Sequence, residues 1–313
     1  MHTTRRNSLK LIAAGTTSIF LPSALQAKVA KLPKAVAFGL IADPHIGFVD
    51  DAPTRLEAFL ETMKSVKPDA LIQLGDFATP DAKQQPHIDK FNQAQEHTLH
   101  VMGNHDLDHR KTREDVLKSW GMPATYYTQE ISGIKIIVLD GNEKGSPTHH
   151  THGGYPSYIG PKQQTWLKKE LSDATTPVLI VSHQPLAGDG AVDNAKEMQS
   201  ILSSHKDKIL LAINGHSHLD SHHEIDDIHY LHINSASYFW LGGKVRLAKY
   251  KDPLFTTLRI NPTKGTITLD AKKSTWLKDI KNVDDLLTKN KQNLKGRVHP
   301  SISAQHLTNI KAL

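Results

Sequence analysis

The sequence predicts a layered α/β fold, and three features carry that expectation. Five short, nearly unbroken apolar runs are spaced through the body, at 35–42, 70–74, 98–102, 177–182 and 209–213. Apolar runs of that length indicate strands buried on both faces. Helix-like stretches lie between them: 54–66 puts Leu56, Phe59, Leu60 and Met63 on one stripe, and 161–171 opens on Pro161 and carries Trp166, Leu167 and Leu171. The third feature is a different kind of strand, at 133–139, 228–233, 254–258 and 266–269, with the alternation and turn residues of hairpins. Strands alternating with helices give an α/β fold, and the hairpins add a second, partly antiparallel sheet packed on the first.

The chain has 313 residues, 38% apolar and 22% charged, which suits one sizeable domain and excludes wholesale disorder. Residues 1–27 read as an export signal. Thr4-Arg5-Arg6-Asn7-Ser8-Leu9-Lys10 is a basic start, a moderately apolar stretch follows, and small residues place cleavage after Ala27. The arginine pair resembles a twin-arginine signal, read by the twin-arginine export machinery, which predicts a periplasmic or extracellular protein. Ser8 stands near where such signals usually carry an aromatic. No later segment is apolar for the roughly 20 residues that span a bilayer, so no integral membrane segment is expected in the mature chain.

Composition narrows the chemistry. The absence of cysteine excludes thiol catalysis and all-sulfur metal sites. Losing Arg5, Arg6 and Lys10 with the leader lowers the net charge from +6 to +3, too near neutral for a stable nucleic-acid partner. The expected organisation is a leader at 1–27, a catalytic domain at 28–273, and an amphipathic helix with a basic tail at 274–313. In the last part Ile280, Val283, Leu286 and Leu287 mark a peripheral helix, followed by a frayed end.

Each of the five runs ends in polar residues able to bind metal: Asp43-Pro-His45, Gly75-Asp76, Gly103-Asn104-His105-Asp106, Ser182-His183 and Gly215-His216-Ser217-His218. In open α/β sheets, sites form beyond the carboxyl ends of the strands. Singly, each Asp reads as a turn or helix-cap residue, and His183 as a core histidine. Five strand ends delivering Asp, Asp, Asn, His and a His pair to one edge are hard to explain by packing alone. Oxygen and imidazole donors without sulfur suit Mn²⁺, Fe or Zn²⁺.

The series D-x-H, G-D, G-N-H-D, a lone His after a strand, and G-H-x-H resembles the calcineurin-like metallophosphoesterases in residues, order and spacing from Phe38 to about Leu219. That resemblance implies an α-β-β-α sandwich of two mixed sheets and two divalent metal ions. Asp43, His45 and His218 would hold the first ion and Asn104, His183 and His216 the second, with Asp76 bridging. His105, oriented by Asp106, would stabilise the phosphate or protonate the leaving oxygen. The implied reaction is hydrolysis of small-molecule phosphodiesters or phosphomonoesters, with nucleotide-like substrates favoured, by metal-activated hydroxide. Thr79 stands where many relatives carry an amide or acid. A Gln-x-x-Trp-Leu pattern at Gln163 is similar to the cyclic-nucleotide phosphodiesterase and ADP-ribose pyrophosphatase branch. The alternative from another class is a non-catalytic metal-binding scaffold on the same fold.

Other residues carry weaker expectations. His149, His150 and His152 lie on a long loop that is either a lid or solvated. Gly153, Gly154, Tyr155 and the segment 234–240 could line the substrate pocket, although packing or an edge contact is favoured for Trp240. His222, His223, His229 and His232 read as surface or strand residues.

Overall fold

The structure is a computed structural model and describes residues 28–29, 31–148, 154–277, 280 and 282–308. The leader, the histidines at 149, 150 and 152, and Gly153 lie outside the described residues. Among those described, no helix is long and apolar enough to cross a membrane.

Two six-stranded sheets form the body. In the first, β1 (Val36–Ile41), β2 (Ala70–Gln73) and β3 (Thr98–His100) run parallel. β12 (Thr256–Asn261), β13 (Thr266–Leu269) and β16 (Gln305–Leu307) extend that sheet antiparallel beyond β1. In the second, β5 (Ile134–Leu139), β6 (Val178–Ser182), β7 (Ile209–Asn214) and β9 (Ile228–His232) are parallel. β4 (Tyr127–Ile131) and β8 (Ser221–Ile225) close its edges antiparallel. Both sheets are mixed, as expected.

The side-chain alternation along each strand builds the layers. Phe38, Leu40, Ile72, Ile136, Val138, Leu179 and Val181 share one buried cluster between the sheets. The opposite faces, through Ile41 and Leu71, take α1 (Ala52–Val66), α2 (Gln85–Asn92) and α3 (Arg113–Trp120). On the other side, Ile137, Leu139 and Ile180 take α4 (Pro161–Asp173) and α5 (Ala195–Ser203). The order is therefore α-β-β-α, with both strand faces buried, which is why the central strands read as unbroken apolar runs. The expected helices begin and end within two residues of α1 and α4. Pro53 and Pro161 sit in their first turns, where a missing N–H costs nothing.

The C-terminal expectation needs correction. A short helix is present, α6 (Val283–Lys289), but the described chain beyond it, as far as residue 308, is not a frayed end. β15 (Ser301–Ile302) pairs with β14 (Lys272–Lys273), and β16 becomes the edge strand of the first sheet. Val298, Ile302 and Leu307 are buried in the core between the sheets. A boundary at 273 therefore cuts through paired strands.

Candidate metal centre

The carboxyl ends of β1, β2, β3, β6 and β7 deliver all seven expected donors to one place. Asp43, His45 and His218 bring one donor atom each within 4.8 Å of one another, and so do Asp76, His183 and His216. The Nε2 atoms of His45 and His218 are 3.3 Å apart, and Asp43 Oδ1 is 3.2 Å from His218 Nε2. In the second group, His183 Nε2 lies 3.2 Å from both Asn104 Oδ1 and His216 Nδ1, and 3.3 Å from Asp76 Oδ2. Asp76 Oδ2 is also 3.8 Å from His45 Nε2, so this one carboxylate faces both groups.

The backbone is bent to make this possible. Asp43, His45, Asp76, His216 and His218 all have φ between 47° and 64°. Left-handed conformations cost non-glycine residues free energy and collect at functional sites. The motif glycines supply the room. A Cβ on Gly103 would sit 2.2 Å from Asp76 Oδ1, one on Gly215 2.4 Å from Asp43 Oδ2, and one on Gly75 2.2 Å from His183 Nδ1. Each glycine is the space into which a neighbouring strand's ligand reaches.

The donors are also aimed. The Nδ1–H groups of His183 and His218 donate to the carbonyls of Leu74 and Tyr238, both at 2.7 Å, which turns each Nε2 inward. Burial holds the His45 imidazole well below its usual pKa, leaving it neutral. Burial works against the charge of Asp76, but the imidazoles of His183, His105 and His45 outweigh it and hold the carboxyl well below the usual carboxylate range. Burial likewise opposes protonation of His183, yet Asp76, Asp43 and the Leu74 carbonyl push it up to about 10. Buried carboxylates that demand positive charge at converging nitrogens fit a pair of divalent cations bound through oxygen and nitrogen.

The placement of His105 brings a correction. Its Nδ1 donates to Asp108 Oδ2 at 2.7 Å, and the Tyr155 hydroxyl donates to Asp108 Oδ1 at 2.8 Å. Asp106, expected to orient His105, does something else. Its Oδ2 accepts from the backbone N–H groups of Asp76 and Gly103, and its Oδ1 accepts from that of Phe77. Asp106 ties the loop after β2 to the loop after β3. The reason is local geometry: residues 105–107 form one 3₁₀ turn, which places Asp108 rather than Asp106 beside the ring. Nothing in the sequence pattern distinguishes Asp108. Burial and the Asp108 carboxylate raise the Tyr155 phenol, so it remains a donor.

Segment 234–240 proves to be a brace more than a pocket wall. Ser235 and Ser237 are buried and donate to the carbonyls of Asp43 and Pro44, both at 2.9 Å. Tyr238 packs its ring 5.0 Å from His45 and 4.9 Å from His218. Trp240 is exposed at the edge. Gln163 is fully buried and brackets Asp140, accepting from its N–H and donating to its carbonyl. Gln163 of the Gln-x-x-Trp-Leu pattern thus secures the end of β5. Thr79 reaches the Ile46 carbonyl at 3.3 Å. His229 and His232 are buried strand residues, while His222 and His223 lie on β8.

Comparison with known proteins agrees with this geometry. A dimetal phosphatase from Danio rerio is similar at 16% identity and a TM-score of 0.56, over 76% of this chain and 96% of that one. The anchor of the inner membrane complex of Plasmodium is similar at 15% identity and a TM-score of 0.52, over 78% of this chain and 85% of that one. At such identities the likeness establishes the fold. No curated protein matches the chain. The family model for calcineurin-like phosphoesterases matches residues 36–220, a span that covers more than half of the chain and contains all seven donors and His105. The chain belongs to the calcineurin-like phosphoesterase family.

Proposed function

We propose that the protein hydrolyses small-molecule phosphoesters, diesters or monoesters with nucleotide-like groups favoured, using two divalent metal ions outside the cytoplasm. The observation that carries this reading is the convergence of seven donors from five strand ends into two adjacent groups that share Asp76. Asp43, His45 and His218 would hold one ion and Asn104, His183 and His216 the other. When bound, such ions supply Lewis-acid stabilisation of charge on phosphoryl oxygens and make the attacking water more acidic.

The chain's own groups do the rest. Asp106 locks the two loops that carry Asp76 and Asn104, so the donors are held before substrate arrives. With Nδ1 committed to Asp108, the partly exposed His105 offers Nε2 to the substrate. Proton donation from there to the departing oxygen neutralises the alkoxide as the P–O bond breaks. The small net charge supports small esters over nucleic-acid polymers.

Turnover of bis-p-nitrophenyl phosphate against p-nitrophenyl phosphate by the Mn²⁺-loaded protein tests the reaction class, and their ratio separates diesterase from monoesterase. Turnover of neither, with two ions bound, contradicts the proposal. Export is supported by the Arg5-Arg6 leader and its small-residue end at Ala27. A reporter carrying residues 1–27 should leave the cytoplasm and be retained when both arginines become lysine. Export of the double-lysine form would contradict a twin-arginine route.

A further inference from the structure

Beside the metal centre lies a cavity of about 440 Å³ that the reaction described above does not use. Asn104 and Tyr155 form the end next to the metal centre, and Lys111, Arg113 and Lys144 are among its walls. Its size is that of a small-molecule site.

The charge in the cavity is arranged to stay available. Arg113 is anchored, with Nε donating to Asp140 Oδ2 at 3.1 Å and Nη2 to the Asn142 carbonyl at 2.6 Å. Nη1 has no hydrogen-bond partner among the described residues. Asp140, which anchors the guanidinium, is itself buried and held by the Asn142 side chain and backbone. The two lysine ammonium groups have no hydrogen bond or ion pair among the described residues. Glu114 is the one acid on the wall, against three cations. Two lysines without an ion pair, and an arginine anchored on Asp140 with Nη1 left over, stand around a concavity that opens at Asn104 and make a receptor for a second anion on the same substrate molecule.

We propose that this cavity is a specificity subsite for a second phosphate group, so that the preferred substrate is a phosphoester whose organic part carries another phosphate. This rests on the phosphoester-hydrolase reading of the adjoining site. Lys111 and Lys144 supply mobile point charges and Arg113 a fixed one. Tyr155 links the two regions, since its hydroxyl bonds Asp108 while its residue lines the cavity.

The test uses a matched pair of esters, thymidine 5′-(p-nitrophenyl phosphate) and its 3′-phosphorylated analogue, which share the reacting group and the leaving group. With Mn²⁺-loaded protein, kcat/KM should favour the 3′-phosphorylated ester by about tenfold or more, the scale of one charge-assisted contact. In Lys111→Ala/Lys144→Ala that ratio should fall towards one, and in Lys196→Ala, a lysine outside the cavity, it should not change. Because a ratio is read, a general loss of folded enzyme does not mimic the effect. The dissociation constants of thymidine 5′-phosphate and thymidine 3′,5′-bisphosphate, measured calorimetrically, should show the same preference and the same loss. A ratio near one in the native protein, or a preference that survives in the double variant, overturns the subsite. Absence of turnover with either ester counts against the hydrolase reading instead, and the binding pair then decides the subsite alone.

Discussion

Asp108 Oδ2 lies 2.7 Å from His105 Nδ1, and that contact orients the imidazole and leaves Nε2 as its uncommitted nitrogen. The Tyr155 hydroxyl, donating to the other oxygen of the same carboxylate, completes a Tyr-Asp-His chain. His105→Ala should lower kcat by about 10²–10⁴-fold, the usual worth of a positioned proton donor. Asp108→Asn should cause a part of that loss with metal content unchanged, because the imidazole remains but its orientation and tautomer are no longer enforced. Steady-state kinetics with metal analysis checks both. An Asp108→Asn enzyme with full activity would contradict the assignment.

Asp106 should behave differently. Its carboxylate accepts three backbone N–H groups from the loops after β2 and β3, so Asp106→Ala leaves three buried donors unsatisfied. Each costs about 1–3 kcal/mol. The expected outcome is a lower unfolding midpoint together with weaker metal binding, whereas Asp108→Asn changes neither.

Glycines of this chain divide by what surrounds them. Gly103→Ala drives a methyl group against both the backbone nitrogen and the carboxylate of Asp76, and should abolish metal binding at that position. Gly121, at the end of α3, is left-handed, at φ 73°, but has open space around it. Gly121→Ala should cost about 1–2 kcal/mol of stability and leave metal binding intact. Calorimetric metal titration of both variants separates the two effects.

The C-terminal segment should matter through its buried residues more than its charges. Arg297 pairs with Asp189 at the surface, so Arg297→Ala should change stability by no more than about 1 kcal/mol. Deleting residues 300–313 removes β15 and β16 and unburies Ile302 and Leu307 from the core between the sheets. At about 1.5–3 kcal/mol per buried aliphatic side chain, several kcal/mol should be lost. Urea unfolding midpoints measure this, and a deletion as stable as the full chain would contradict the edge-strand role.

Two buried histidines away from the ligand atoms set an acid limit. Burial lowers His100 to about 3 and His232 to about 4. Both are hydrogen-bonded in the neutral form: His100 Nδ1 accepts from the Gln73 amide, and His232 Nε2 donates to the Ala187 carbonyl. The unfolded chain binds these protons near pH 6.5 and the folded one does not, so stability is complete above about 6.5 and falls as the pH drops towards 3–4. His100→Gln should flatten that decline. An unchanged slope in urea unfolding between pH 7 and 4 would rule out His100 as a source.

How far the sequence could be read follows from the physics of each element. Strands buried on both faces must be apolar throughout, so β1, β2, β3, β6 and β7 stood out, and their ends marked every donor. β15 and β16, of two and three residues, are too short to show alternation, which hid the C-terminal edge. Ser235 and Ser237 looked like pocket residues because small polar side chains near a site are ambiguous until their partners, here the Asp43 and Pro44 carbonyls, are seen. Asp108 and the cations around the cavity gave no periodic or motif signal, since their meaning depends on how loops from β3 and β5 meet.

The central claim is that two ions shared by Asp76 drive phosphoester hydrolysis. It is tested most directly by stripping the protein of metal and following bis-p-nitrophenyl phosphate as Mn²⁺, Zn²⁺, Fe²⁺ or Mg²⁺ is restored singly, with Asp76→Ala in parallel. The account predicts that turnover vanishes on stripping, returns as about two ions bind per chain, and does not return in the variant. Turnover that persists without metal, or an Asp76→Ala protein restored to full activity, would contradict it.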